Sequence, residues 1–312
     1  MVESSFTPRF ERVDLSETER LSDGDLEAVL QELGFIKSSE IVDQSGETIL
    51  YKRTVTLPDG IMGDLPDDFN LLAFKFKGGL ARASLAGVLG SDNVSVRDID
   101  ACVVADDYID RPNDMWEISR DYTSHDNYFR TRDFTMNEVL LEPEIDGTFT
   151  LTASLEAIID YLNGVICPTV FEQQDPLLSS RIIARSIRFA AEQMHSGRNV
   201  KLAIPPAVED ELGVFDIALQ LIRALESGSE NEYLLLLHNL RYVPDDIYDM
   251  ADLCSFLERE LEYDGSDLIF DLRTASSVLA KGEPVDARNL FKKFNRLARD
   301  KRLSAEDFEI MQ

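Results

Sequence analysis

Cysteine is scarce in this chain. Its three copies, Cys102, Cys167 and Cys254, lie far apart in apolar surroundings with no C-x-x-C spacing. That pattern excludes a disulfide framework and a dithiol or zinc pair, and leaves buried thiols. Histidine is equally sparse: His125, His195 and His238 fall in separate segments without ligand spacing and carry no assigned chemistry. Long apolar runs are missing too. Nothing approaches the roughly 18 residues that span a bilayer, and the opening "MVESSFTPRFERVD" lacks the charged and apolar regions of a signal peptide. A cytoplasmic location with no membrane partner is the expectation. Positive charge is the last shortage, with 31 Lys and Arg against 59 Asp and Glu and a net charge of -28. Such a surface argues against broad contact with nucleic acid, because neutralising phosphate needs basic side chains. Two readings stand: a surface solvated by carboxylates, or one that presents a phosphate-like field to a basic partner.

What is present is enough to fold. With 312 residues and 44% hydrophobic content the chain can bury a core in each of two globular units. Residues 22–34 predict a helix capped by Ser22 or Asp23, with Leu26, Val29, Leu30 and Leu33 on one stripe and Gly34 as its stop. Segments 35–43 and 47–57 flank "QSGE" as a hairpin. A strand is expected at 70–76, a short helix after Gly79, a strand near 95–105, and a less regular acidic stretch to about 130. From Leu155 on, the pattern is helical almost throughout. The fold class expected is α+β, a head with a mixed β-sheet followed by an all-α neck and body.

The stretch "KGGLARASLAGVLGSDNVSVRDIDACVV", residues 77–104, is where chemistry concentrates. Alternate residues of a strand share a face, so Asp98 and Asp100 project together while Ile99 turns to the core. Paired carboxylates of this kind suit Mg²⁺, which takes carboxylates, waters and substrate phosphates. A solvated acidic strand edge is the plain alternative. The context favours the first: Gly78 and Gly79 end a strand and open a helix, where missing side chains let backbone N–H groups approach an anion. The plain alternative there is an ordinary strand-to-helix turn.

Two further blocks, "RTRDFTMN" at 130–137 and "FEQQDPLLSSRIIARSIRFAAE" at 171–192, complete a pattern. In order, Gly78-Gly79-Leu80-Ala81-Arg82, Asp98-Ile99-Asp100, Arg132-Asp133-Phe134-Thr135-Met136-Asn137, and Asp175-Pro176 followed by Arg185-Ser186-Ile187-Arg188-Phe189 resemble the head and neck of the class II tRNA nucleotidyltransferase and bacterial poly(A) polymerase family. The resemblance implies a five-stranded nucleotidyltransferase head over residues 66–150, extended at its N-terminal side by the helix and hairpin of 1–65 and followed by an all-α neck, body and basic C-terminal helix over 151–312. It implies that Asp98 and Asp100 are catalytic and hold Mg²⁺ around an NTP, CTP or ATP, for transfer to an RNA 3′ end, most simply that of a tRNA (CCA addition) or in polyadenylation. Gly78, Gly79 and Arg82 would contact the triphosphate. Arg132, Asp133 and Asn137 would hold the sugar and link head to neck, and Asp175 with neck arginines would read the base edge. The chain departs from the family in places. Ala83 replaces an Asp, Thr131 an Arg and Gln174 a Glu. About four extra residues put Ile182 where the base-reading Arg would fall, so Arg181 beside it, with Arg185 and Arg188, takes that expectation.

One local exception to the acidic balance remains. Residues 288–302, "RNLFKKFNRLARDKR", carry seven basic side chains and one acid. Arg288, Lys292, Arg296 and Arg299, with Lys293 beside them, line one helical face, and either grip an RNA backbone or form a solvated face that complements the helix C-terminus. Rival functions to RNA 3′-end addition are the same head chemistry on another acceptor, and a degenerate head retained as an acidic binding or mimic module.

Overall fold

A computed structural model describes residues 10–13, 23–42, 46–66, 68–90, 96, 98–104, 112–120, 122–169, 176–203 and 212–260. The basic segment 288–302, Asp175 and the Ser22 cap lie outside the described residues. The chain divides into two compact units, one formed by 16–170 and the other by 1–15 with 171–312. Elements follow in chain order. Strand β1 (Phe10–Val13) precedes α1 (Asp23–Glu32), the hairpin β2 (Ile36–Val42) and β3 (Gly46–Val55), then β4 (Phe74–Lys77), α2 (Gly78–Val88), β5 (Ile99–Val103) and β6 (Trp116–Ser119). Next come α3 (His125–Arg130), β7 (Val139–Pro143), β8 (Phe149–Ala153), α4 (Leu155–Asn163) and β9 (Val165–Ile166). The remainder is α5 (Pro176–His195), β10 (Val200–Ala203), α6 (Val214–Ser227), α7 (Glu230–Asn239) and α8 (Met250–Glu260).

The 16–170 unit is built on a seven-stranded sheet in the order β2-β3-β8-β7-β4-β5-β6. Every neighbour pair is antiparallel except β5 and β6, so the sheet is mixed. The hairpin expected over 35–57 supplies the two outermost strands on one side, which raises the five strands of the expected head to seven. α1 ends as its sequence requires: Gly34 sits at φ +72, and Phe35 N–H returns to the Leu30 carbonyl.

Alternation sorts the sheet into two faces. Phe74, Phe76, Ile99, Ala101, Trp116, Leu141, Leu151 and Ala153 turn to one side and form the main core with Leu26 and Leu30 of α1, Leu80 and Leu85 of α2, and Ile158 of α4. The chain's only tryptophan sits at its centre. Trp116 is fully buried, meets the rings of Phe69, Phe74 and Phe76 edge-on with centroids 5.3–5.4 Å away, and donates its indole N–H to the Met62 carbonyl at 3.2 Å. Among the described residues, the acidic stretch expected to be irregular contains strand β6 and helix α3. Periodicity missed them because each is only four to six residues long, too short to repeat a pattern.

The opposite face is covered by α3, whose Tyr128 and Phe129 pack on Leu50 and Leu140. Beside them lies an ionic cluster. Glu142 accepts from Lys75, from His125 Nε2 at 3.1 Å and from Thr152 Oγ1 at 2.9 Å, while His125 Nδ1 meets Glu40 at 3.1 Å. Burial works to raise the Glu142 carboxyl, but the hydrogen bonds and charges of His125 and Lys75 outweigh it and bring it down to about 2.

In the other unit, β1 and β10 pair in parallel beside the helices. Helices α5, α6 and α7 pack together, burying Ile183, Ile187, Leu221, Tyr233 and Leu237. Among the described residues no helix is long and apolar enough to cross a membrane. Cys102 and Cys254 are buried as expected, and Cys167 is half-buried.

Because Trp116 ties β6 to β4 and β5, Trp116→Ala should destabilise the unit by about 3–5 kcal/mol, as large-to-small core changes do. Urea unfolding followed by circular dichroism measures the loss; a change below about 1 kcal/mol would show that β6 is held by other contacts.

Candidate active site

The site is assembled at one end of β4, β5 and β6. β4 ends at Lys77, and the chain turns at Gly78, φ +61, directly into α2. Only glycine takes that left-handed angle without strain. Space gives a second reason. A Cβ at position 78 would lie 1.9 Å from Asp100 Oδ2 and 2.9 Å from its Cγ, so the Asp100 carboxylate occupies the volume that any side chain would fill. At Gly79 the nearest atoms to a Cβ are the Asp98 carbonyl oxygen at 3.7 Å and Asp98 Oδ1 at 3.8 Å. Both aspartates therefore approach the first turn of α2, whose opening N–H groups have no partner within the helix.

The pleat places Ile99 fully in the core and leaves Asp98 and Asp100 half-buried. Asp100 is paired across the sheet with Lys77 of β4 on one side and Glu117 of β6 on the other. Glu117 is a functional candidate that the sequence reading missed. Its only signal was the tetrapeptide "WEIS", too short to show that it lies in parallel register beside β5. The charges act on one another. Burial raises the Asp100 carboxyl, the charges of Asp98 and Glu117 push the same way, and Arg82 and Lys77 pull it down.

A chain of short hydrogen bonds links this end of the sheet to the "RDFTMN" block. Arg82 of α2 donates to Asn137 Oδ1 at 2.6 Å, and Asn137 Nδ2 donates to Asp133 Oδ1 at 2.6 Å. The Asp133 carbonyl accepts from Thr169 N–H at 3.1 Å, and Phe134 bridges Pro168, so the block also fastens the segment that leaves α4. Arg132 lies with its guanidinium 4.1 Å from the Tyr128 ring and donates Nε–H to the Tyr128 carbonyl at 3.0 Å. Next to Asn137, Glu138 is buried, and its carboxyl is pushed up to about 7, by burial first; the Ser154 hydrogen bond opposes this, and the charges of Glu156 and Asp160 add to it. Ala83, on α2 beside Arg82, is 8% exposed.

Gly78, Gly79, Arg82, Asp98, Asp100, Arg132, Asp133 and Asn137 thus all belong to the 16–170 unit. Arg181, Arg185 and Arg188 belong to α5 of the other unit. Arg181 and Arg185 are half-exposed and one turn apart. Arg188 is 5% exposed, donates Nε–H to Gln220 at 2.9 Å and Nη1–H to Glu192 at 2.6 Å, and stacks on Phe189. Its fork binds α5 to α6. Ile182, beside Arg181, is 4% exposed and part of the helical core.

No protein-family profile and no curated protein matches the sequence. Among solved structures the chain is similar to a tRNA-processing enzyme in its apo form I, with 16% identity, a TM-score of 0.43, and 78% of this chain and 80% of that one covered. It is similar to a tRNA nucleotidyltransferase complexed with a primer tRNA and an incoming ATP analog, with 15% identity, a TM-score of 0.40, and coverage of 71% and 80%. It is also similar to the Thermotoga maritima CCA-adding enzyme complexed with tRNA_CCA, with 15% identity, a TM-score of 0.40, and coverage of 82% and 75%. These likenesses are distant, and the chemistry of the site rests on its own residues.

The fit of a metal ion can be judged from the donors. Among the described residues no group of three or more His, Cys, Asp or Glu side chains is placed to hold an ion by itself. Asp98 and Asp100 offer two hard oxygen donors, and Mg²⁺ commonly takes one or two carboxylates and completes its shell with water and substrate phosphates. The residues fit an ion that arrives with a phosphate substrate.

Two outcomes follow. Gly78→Ala should cost on the order of 1–3 kcal/mol of stability and displace Asp100, whereas Gly79→Ala, which meets only ordinary contacts, should stay within about 0.5 kcal/mol of the parent; equal urea midpoints for the two would refute the crowding at Gly78. For Glu138, the folded state holds a proton that the unfolded state has released between about pH 4.5 and 7. Stability should therefore fall as pH rises through that window and level off above it. Glu138→Gln should flatten this slope and add on the order of 2 kcal/mol above pH 7, which thermal melts at pH 5 and 8 would measure.

Proposed function

We propose that the protein is a Mg²⁺-dependent nucleotidyltransferase that adds nucleotides from CTP or ATP to an RNA 3′ end, as in tRNA CCA addition or polyadenylation. The observation that carries this reading is the approach of Asp100 to the bare backbone of Gly78. It brings a half-buried carboxylate, a neighbouring carboxylate and a helix N-terminus to one point, an arrangement with no use in folding and with an evident use in holding a metal-bound triphosphate. The resemblance of the four sequence blocks to the class II nucleotidyltransferases supports the same assignment.

In this reading Asp98 and Asp100 hold the ion. Bound there, Mg²⁺ would polarise the phosphoryl oxygens and neutralise charge that develops during in-line displacement. Gly78 and Gly79 keep the first turn of α2 open to phosphate oxygens, and its N–H groups stabilise their charge. Arg82, held by Asn137, adds a fixed positive charge beside Asp100. Its anchor continues to Asp133, so the "RDFTMN" block positions the arginine and orders the edge of the nucleotide site. Glu117 lies beside Asp100 as a third carboxylate and raises the negative potential that draws a cation in. Arg181 and Arg185 are half-exposed on α5, and a base-reading role for them rests on the resemblance of the neck block alone.

The test offers labelled ATP and CTP with a tRNA lacking its 3′ terminus. Label should pass to the RNA with Mg²⁺, disappear with EDTA, and be lost in Asp98→Ala and in Asp100→Ala while circular dichroism stays that of the parent. Label on another acceptor would keep the head chemistry and overturn the RNA assignment. No transfer, or full transfer by Asp100→Ala, would overturn the reading itself.

A further inference from the structure

His125 is the first residue of α3, and its imidazole lies between carboxylates from two different strands. Nε2 stands 3.1 Å from Glu142 Oε2 of β7, and Nδ1 stands 3.1 and 3.3 Å from the two oxygens of Glu40 on β2. The residue is 5% exposed. The Glu142 carboxyl, held down to about 2, is ionised. A carboxylate only accepts hydrogen bonds, so each of these contacts needs a proton on the ring nitrogen, and a ring with a proton on both is an imidazolium. The rival donor is the Tyr122 hydroxyl, 3.4 Å from Nδ1, and both Glu40 oxygens are nearer than that. Of the other charged groups nearby, Lys75 of β4 is paired with Glu142, and Asp126 and Arg130 of α3 pair with each other. Lys52 of β3 is in register with Thr152, which itself donates to Glu142.

α3 has six residues, too few to hold a helix in water by itself. What seats it therefore decides where it lies. Tyr128 and Phe129 pack on Leu50 and Leu140, and His125 ties the first turn to β2 and β7. The other end of the helix delivers the "RDFTMN" block. Arg132 N–H returns to the Phe129 carbonyl at 3.1 Å, and its Nε–H donates to the Tyr128 carbonyl at 3.0 Å. The Tyr128 hydroxyl lies 3.5 Å from the Asn137 carbonyl, and the Asn137 side chain holds Arg82 and Asp133. A shift of α3 would move Arg132 directly and Asn137 through the tyrosine.

We propose that His125 is a positioning residue for the nucleotide site: as an imidazolium bridging Glu40 and Glu142 it locks α3 onto the sheet, and loss of one ring proton opens that lock and loosens the seat of Arg132 and Asn137. This rests on the nucleotide-site reading above and adds to it a response to pH. The sign follows from the donors. A ring left with one proton turns a lone pair on a carboxylate in a buried place, and that contact is repulsive. The lock is closed on the acid side and opens as pH rises, and nucleotide affinity should fall in the same direction.

The experiment reads the ring and the site separately, on the full chain. In protein carrying ¹⁵N-labelled histidine, the ring signals of His125 are those that His125→Phe removes. Both of its nitrogens should carry the shift of a protonated nitrogen at about pH 6, and one should lose it as the pH is raised. A non-hydrolysable ATP analogue with Mg²⁺ is then titrated by calorimetry at about pH 6 and about pH 8.5. The loss of affinity between the two should be about fivefold greater in the parent than in His125→Phe. Glu138, pushed up to about 7, and the phosphates of the analogue titrate in both proteins, so the difference belongs to His125. Glu40→Gln keeps an acceptor for Nδ1–H and removes a charge, so its loss of affinity should begin at lower pH than the parent's; a packing role alone would leave the two profiles superimposed. If His125→Phe fails to fold, Glu40→Gln decides. A single ring proton at about pH 6, or profiles that coincide within twofold, overturns the proposal. Binding that Asp100→Asn abolishes but that keeps the same pH profile in the His125 and Glu40 variants leaves the site standing and the lock fallen. If the parent binds no analogue at either pH, the nucleotide site falls and the lock with it.

Discussion

Carboxylates brought together on one end of a sheet repel each other, and the head unit is organised around tolerating that repulsion. Asp98 and Asp100 share a strand end, and the parallel register of β5 and β6 sets Glu117 beside them. Nothing in a folding argument calls for such a group. The chain keeps it through three devices: aromatic packing around Trp116 that fixes β6, a glycine whose absent side chain leaves room for Asp100, and two cations, Lys77 and Arg82, on the flanking elements. Remove the repulsion and each of these would be free to vary.

The same sheet face carries a second charged group with the opposite character. Around Glu142, every charge has a partner at hydrogen-bond distance, and the result is a carboxyl held near pH 2. Around Asp100, the balance leaves the carboxyl raised. One cluster is closed by its own partners; the other is the group for which a metal-bound triphosphate is proposed. That difference separates a structural ion network from a binding site more reliably than the number of charged residues does, in a chain where acidic residues are everywhere.

Parts of this were legible in the sequence and parts were not, for physical reasons. The glycine pair, the alternation at Asp98-Ile99-Asp100 and the hairpin at 36–55 are local signals, written within one element and its turn. Glu117 was not legible, because its place depends on which strand β6 pairs with, and a four-residue strand carries no register of its own. Lys77 carried no signal of its own either, because its place beside Asp100 depends on the register of β4 with β5. For Arg188 the signal was present and unused. Ala184, Ile187 and Ala191 surround it at helical spacing, a buried stripe in which an arginine must find hydrogen bonds, and Gln220 and Glu192 provide them. The assignment of neck arginines by motif order overrode that periodicity.

Among the described residues β6 is the outermost strand on its side of the sheet, four residues long, with a single neighbour. It bears Glu117. What keeps this rim strand, and with it Glu117, in register beside β5 is the packing of Trp116 in the core on the other side of the sheet. The charge balance around Asp100 is therefore tied to aromatic packing on the far side of the sheet, so a change in the core would be felt as a change in electrostatics.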